Sequence, residues 1–244
     1  TINATDVSIE GLQLRGGHTG LDLNKGSTTL LRDIELRTNT IGLRSESASS
    51  LEVRGLALVR NTAIGGNFEH SSEAPSAISL MDLRVEGNGQ RGVSSVGGIR
   101  SDHPLVLTRA HFQDNAGIEA GDLHAHQLDA MNITVGQPFA ADPTPRMILR
   151  GETLIQEALI HALGGGVQID CEGESISLVN AALSDGDTQL DSGALLSLTD
   201  CSGSLQHLSL VKLIGEQRGL GLELLGETDI DLENSALVHF DQAL

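Results

Sequence analysis

The sequence repeats one apolar pattern along its length, and this repeat restricts the fold more than any other feature. The stretch VSIEGLQL, residues 7–14, has the spacing of two short alternating strands joined by a two-residue bend. The position of Leu12 recurs at residues 34, 56, 83, 110, 133, 158, 181, 208 and 235, at intervals of 22 to 27 residues. In several copies a Gly or Asn turn and a third alternating run follow, as at Leu21 and Leu23. Each repeat therefore predicts three short strands.

A repeat of this length without a helical pattern indicates a chain that coils on itself. Three short strands with their turns use about 22 residues, and parallel strands of successive coils pair at about 4.8 Å. The sequence thus predicts an all-β fold: a right-handed single-stranded parallel β-helix, or solenoid, of about ten coils with three short strands per coil. Residues 1–244 would form this one domain. An aperiodic β-sandwich with accidental spacing is the alternative.

The composition agrees with a narrow aliphatic core and limits the partners. Hydrophobic residues make up 39% of the 244 residues, yet there is no Trp, no Tyr and only four Phe. Stacked aliphatic side chains fill a solenoid, whereas a compact globule of this size uses aromatic residues. The net charge of −18 argues against nucleic acid, which requires a positive surface. No run of 18 apolar residues occurs, so we expect no membrane insertion by this segment.

Asparagine recurs five residues after the repeated core position. Asn39, Asn61, Asn88 and Asn115 hold this slot in four successive coils, and Gly17 holds it in the first. Asn and Gly both tolerate the left-handed backbone region, and an Asn amide both donates and accepts hydrogen bonds. Stacked Asn side chains can therefore form a ladder that satisfies buried turn groups. We predict this structural ladder; binding of a ligand or cation by the same residues is the alternative.

The repeat is similar to the parallel β-helix repeat of the pectin lyase-like superfamily over the whole chain. The resemblance implies the fold but no single activity, because this scaffold carries lyases, hydrolases, adhesins and inert spacers. Enzymes with this fold work in a groove outside one sheet, with stacked charged residues from neighbouring coils. The outward positions beside the slot of Ile9 contain no pair of acids in adjacent coils, which a glycosidase would need.

Some of these outward positions are apolar although they should face solvent. They are Val106, Met81, Met131, Leu154 and Val179. Either loops cover this face or it meets a partner, and the long segments 69–77, 87–104 and 136–147 could supply the cover. We predict a partner-facing patch at these five residues.

The two cysteines are predicted to form a disulfide. Cys171 and Cys201 each follow a third strand, in adjacent coils, so they lie over one another at a separation that a disulfide can span. A disulfide implies an oxidising compartment. Two buried free thiols are the alternative.

Two polar clusters are candidate metal sites. Asp185, Asp187 and Asp191 offer oxygen ligands that suit calcium, but their spacing does not match a D-x-D-x-D-G loop, and solvated acids are the alternative. His124 and His126 share one face of an extended strand and would suit a transition metal, but no third ligand is specified. The sequence therefore predicts no resident cofactor, with calcium as the exception to test.

The function that we expect is a secreted or cell-surface scaffold domain for adhesion or protein–protein contact, without catalysis of its own. It would belong to a longer protein, lie outside the cell, as on the exterior of a bacterial outer membrane, and bind a protein or a cell-surface glycan. Two alternatives remain. One is a polysaccharide lyase or glycoside hydrolase with a groove on the outer face of one sheet, and the other is a structural spacer or stalk.

Overall fold

The computed structural model describes residues 7–24, 28–46, 50–69, 77–90, 93–136, 145–161, 166–185, 194–212 and 220–238. These ranges contain β-strands and no helix. The strands are β1 Val7–Glu10, β2 Gln13–Arg15, β3 Thr19–Asn24, β4 Thr28–Arg37, β5 Ile41–Glu46, β6 Ser50–Val59, β7 Ile64–Glu69, β8 Ile78–Glu86, β9 Ile99–Ser101, β10 Leu105–Gln113, β11 Leu123–Gly136, β12 Met147–His161, β13 Val167–Asp170, β14 Ser175–Asp185, β15 Ala194–Thr199, β16 Ser202–Gln206, β17 Ser209–Lys212, β18 Leu220–Leu225, β19 Asp229–Glu233 and β20 Ala236–Val238.

Strands of successive coils pair in parallel and in one continuous register. The column that begins at Ile9 continues through Leu31, Val53, Leu80, Leu107, Ala130, Ile155, Leu178, Leu205 and Leu232. The predicted all-β parallel solenoid is therefore confirmed. The last repeat contributes β19 and β20 and has no third strand within the described ranges, so the complete turns are fewer than the predicted ten or so.

One residue in the left-handed backbone region forms the bend between the first and second strands of each coil. These residues have φ between 49° and 68°, and they are Gly11, Asp33, Gly55, Asp82, Arg109, Asn132, Glu157, Asn180, His207 and Asn234. In most coils the parallel pairing continues on both sides of the bend. The first two predicted strands therefore run together in β4, β6, β8, β10, β11, β12 and β14.

Aliphatic side chains stacked along the solenoid axis form the core. Leu36, Leu58 and Leu107 are fully buried, and Phe68 and Phe112 are the buried aromatic residues of the described chain. This agrees with the composition, since each coil adds one thin layer and a large ring would fill the space of several small side chains.

The four predicted asparagines form a continuous hydrogen-bonded ladder in the interior, each at most 1% exposed. The Oδ1 atom of Asn88 accepts hydrogen bonds from the backbone N–H (2.9 Å) and the Nδ2 atom (2.8 Å) of Asn61. The Nδ2 atom of Asn88 donates to the Leu58 carbonyl at 2.8 Å and to Asn115 Oδ1 at 2.9 Å. Asn39 makes the same contacts with Asn61. The ladder therefore satisfies turn groups that the solenoid buries.

The backbone reason given for these asparagines is wrong. In this turn the left-handed residue is the one before each slot, and it is Gly16, Thr38, Arg60, Gly87 or Asp114. The asparagines themselves, and Gly17, do not have positive φ. Asn is required here for its amide hydrogen bonds and not for its backbone tolerance.

Glycines in the third strands leave room for the ladder. A Cβ atom on Gly20 would lie 2.7 Å from the Nδ2 atom of Asn39, and one on Gly42 would lie 2.8 Å from the Nδ2 atom of Asn61. These distances are too short for a real contact, so the asparagine side chain occupies the volume that any larger residue would need. The rungs at Asn39, Asn61 and, through Gly65, Asn88 therefore each depend on a glycine in the preceding coil.

Cys171 and Cys201 form the predicted disulfide, with an S–S distance of 2.01 Å and a Cα–Cα distance of 4.9 Å. Both residues are buried, and the bond joins two successive coils. The alternative of two free thiols is thus wrong. A disulfide in this position favours a protein that resides outside the cytoplasm.

Candidate functional site

Five apolar side chains form a zigzag on the outer face of the sheet that contains the Ile9 column. The register places one apolar residue in each of five successive coils, alternately in the two outward columns, and they are Met81, Val106, Met131, Leu154 and Val179. The other outward residues of these coils are Ser79, Thr108, Asp129, Gln156 and Ser177. We call these ten residues the central face. The five residues predicted from the sequence do share one surface.

The central face carries one charged residue, Asp129, in a chain with 20% charged residues. Its Met131 side chain is 46% exposed, and the other four apolar side chains are half-buried. At about 4.8 Å per coil, the zigzag extends about 19 Å along the solenoid. The face is therefore long and nearly uncharged.

The outward face of the third strands differs because ion pairs cover it. Arg44 lies beside Glu46 and also contacts Glu69 at 3.4 Å, and the Arg100 guanidinium lies 3.8 Å from the Asp102 carboxylate. These exposed pairs contribute little to stability, but they keep this face solvated. The contrast singles out the central face as the surface suited to burial against another molecule.

A polar groove crosses the same third-strand face nearer the C-terminal end. Arg150, Asp170, Ser197 and Glu223 line a cavity of about 430 Å³ between β12, β13, β15 and β18. The Ser197 hydroxyl donates to the Glu223 carboxylate at 3.0 Å, and the Asp170 carboxylate accepts the Glu172 N–H at 3.1 Å. Such a groove can hydrogen-bond a ligand rich in hydroxyl groups. Sequence reasoning did not identify it, because it requires the register of the third strands.

The predicted histidine pair does share an outward face, in β11, but it forms no metal centre with its neighbours. His124 Nδ1 lies 3.8 Å from a carboxylate oxygen of Glu119, and His126 Nε2 lies 3.7 Å from one of Glu172. Burial lowers the pKa of His124, and the charges of nearby arginines lower it further. Among the described residues, no three His, Cys, Asp or Glu side chains are arranged to hold a metal ion.

The calcium candidates lie largely beyond what the structure describes. Asp185 is the last residue of β14, and Asp187 and Asp191 lie outside the described residues. Calcium binding by these three residues therefore stays a prediction.

Asp122, two residues before His124 in the sequence, points into the solenoid. It is fully buried, and its Oδ1 atom accepts a 2.8 Å hydrogen bond from the Nδ2 atom of Asn115, the last asparagine of the ladder. Its Oδ2 atom lies 3.5 Å from the guanidinium of Arg146, which is also fully buried. An ion pair thus ends the ladder. Its Asp122 is in register with Gly98 of the preceding coil.

The carboxyl group of Asp122 should make stability depend on pH. Burial raises its pKa from 3.8 to about 6, although Arg146 and Asn115 oppose the shift. The folded chain then binds a proton at a higher pH than the unfolded chain, so this contribution to stability is complete below pH 3.8 and is lost as the pH rises through 6.

We therefore expect wild type to gain stability relative to Asp122→Asn between pH 7 and pH 5, by about 1.3 kcal/mol in total. Urea unfolding of both proteins at the two pH values measures this gain. An unchanged difference between the two proteins would show that Asp122 does not titrate in this range.

One further pair resembles the beginning of a nucleophilic site. His161 Nδ1 lies 2.7 Å from the Ser184 hydroxyl on the outer face of β12 and β14. A nucleophile requires a base that a third group orients. No hydrogen bond to the other nitrogen of the His161 ring is present within the described residues, so the contact is a cross-strand hydrogen bond.

No family model, no curated protein and no solved structure matches this chain. Within the described ranges, no helix has the length and apolar character to cross a membrane. The fold and the geometry of its surfaces therefore carry the functional argument.

Proposed function

We propose that this chain is a secreted or cell-surface scaffold domain that binds a protein partner and does no chemistry itself. The observation that carries the proposal is the zigzag of five apolar side chains on the central face. The rigid solenoid holds them in fixed positions, so a partner could bury them without first ordering the surface.

The chemistry of the central face agrees with a protein partner. The cores of protein interfaces are depleted in charge and enriched in methionine, and this face has two methionines and one carboxylate among ten residues. The disulfide agrees with an extracellular or cell-surface location, such as the exterior of a bacterial outer membrane. The resemblance to the pectin lyase-like repeat, which adhesins also carry, supports the same role.

A glutamate in the middle of the zigzag should weaken partner binding strongly. We expect peptides selected from a display library on the wild-type domain to bind Met131→Glu about tenfold more weakly or worse, because a charge would be buried in the interface. Leu159→Glu is the matched control, since Leu159 is 44% exposed and points outward from the neighbouring sheet. Fluorescence anisotropy gives the affinities, and circular dichroism confirms that both variants fold.

Equal binding of the selected peptides to both variants would overturn the assignment of this face. If the library yields no binder, the domain is better described as a spacer or stalk.

The polar groove supports a second candidate, an enzyme that acts on polysaccharides. Asp170 and Glu223 bring two carboxylates to one groove, and glycoside hydrolysis uses two carboxyl groups. Incubation with acidic and neutral polysaccharides, followed by assays for reducing and unsaturated ends, distinguishes the two functions. Release that Glu223→Gln abolishes would establish the enzyme and contradict the non-catalytic scaffold.

A further inference from the structure

A notch lies at the edge of the central face because one corner of the solenoid is a residue shorter than its neighbours. The corner is the segment between the aligned strand residues on either side of it. In the coil of β11 this segment consists of only His126 and Gln127. The preceding coil has residues 102–104 in the same interval, and the following coil has residues 150–152. The middle corner is therefore recessed between two longer ones, and the register shift at His126 and Leu128 marks it.

The notch has an apolar floor and an acidic rim. Val106, Leu128 and Leu154 contribute apolar surface, and Asp129 and Glu152 stand at the opening. Val106, Asp129 and Leu154 are direct neighbours in one outward column, so the carboxylate projects between two aliphatic side chains. Glu152 accepts a 3.2 Å hydrogen bond from the Ser175 hydroxyl, and within the described ranges no Lys or Arg forms an ion pair with either carboxylate.

The size of the notch suits one side chain better than a small molecule. Its volume is about 230 Å³, whereas pockets for small molecules hold roughly 300–1,000 Å³. Interface anchors are single side chains that fill pockets of this kind, and arginine is prominent among them. Arginine also combines an aliphatic stem with a fork of donors that matches a carboxylate.

We propose that the notch binds an arginine side chain from an extended segment of the protein partner. The stem lies along Val106 and Leu154, and the guanidinium reaches Asp129 and Glu152. Charge complementarity selects this occupant, because the two rim residues are acidic and the chain has a net charge of −18. This inference rests on the proposed function in that the partner is a protein, whose apolar residues would cover Met131 beside the notch.

Four capped pentapeptides test the proposal. They have the sequence Ser-Val-X-Val-Ser, with arginine, lysine, citrulline or leucine at X, and are titrated into the ¹⁵N-labelled chain. We expect the arginine peptide to shift the amide signals of Gln127 and Leu128, and citrulline, the neutral isostere, to bind about tenfold more weakly or worse because it lacks the charge. The lysine peptide should bind with intermediate affinity, since it has no fork of donors.

Two double variants with the same net charge provide the control. Asp129→Asn with Glu152→Gln should weaken the arginine peptide about tenfold or more. Asp231→Asn with Glu233→Gln should leave it unchanged, since both residues are exposed in β19, in the same sheet and far from the notch. Equal affinity for arginine and citrulline, or equal weakening by both double variants, would overturn the proposal.

These outcomes separate the notch from the wider function. In one outcome, the library peptides carry no basic residue and lose affinity for Met131→Glu, yet still bind the Asp129→Asn, Glu152→Gln variant. The scaffold function then stands and the notch assignment fails. If the arginine peptide binds the notch but the library yields nothing that depends on Met131, the notch stands and the wider protein interface fails.

Discussion

Replacing Arg146 with methionine is expected to lower the free energy of unfolding by about 3 to 5 kcal/mol at pH 7, because it breaks a buried ion pair. The Asp122 carboxylate still accepts the hydrogen bond from Asn115, so the ladder keeps its last contact. What is lost is the positive charge 3.5 Å from this fully buried carboxylate. Because Arg146 opposes the rise in the pKa of Asp122, its loss leaves a charge in a low-dielectric interior without the cation that faces it.

Arg109→Met is the control, because Arg109 forms an ion pair with Asp82 at 2.6 Å on the exposed surface. We expect little change there, since water solvates the carboxylate that remains. Urea unfolding followed by circular dichroism gives both free energies. If the two variants lose the same free energy of unfolding, the buried ion pair at the end of the ladder stabilises the fold no more than the exposed one.

Removing one rung from the middle of the ladder should be comparably damaging. In Asn88→Ala, the backbone N–H and the Nδ2 group of Asn61 lose their acceptor, and the Leu58 carbonyl loses a donor. Buried groups that lose a hydrogen bond cost about 1–3 kcal/mol each. We therefore expect the free energy of unfolding to fall by about 4 kcal/mol, in the same urea experiment.

Asn67→Ala is the matched control for this rung. The Asn67 side chain points outward from β7 and donates one hydrogen bond to Glu69, at 2.7 Å. The change is the same, but no interior group is orphaned, so we expect a loss below about 1 kcal/mol. A small effect at both positions would mean that water enters the turn and replaces the missing amide.

The sequence predicts those features that recur in the interior of successive coils. The core columns, the asparagine slots, the two cysteines and the outward apolar residues all follow from one register, because each coil must bury the same positions. The third strands of several coils could not be found in this way. Gly66 stands in register with Leu43, and the polar residues Ser45 and Ser101 are buried where alternation requires apolar side chains.

The features that depend on the third strands were missed for the same reason. Asp122 and Arg146 become neighbours only when the strands that follow them, β11 and β12, are aligned. The notch likewise depends on a comparison of corner lengths, which requires the register on both sides of each corner.

The pairing of Asn39, Asn61 and Asn88 with a glycine in the coil before each has a consequence for how such a chain can change over evolutionary time. A rung cannot be acquired alone, since a side chain on Gly42 would displace Asn61. A unit of duplication that keeps the pair together therefore extends from the third strand of one coil to the turn after the second strand of the next, across the boundary between coils. Asp122 and Arg146 occupy the interior where this series of rungs ends.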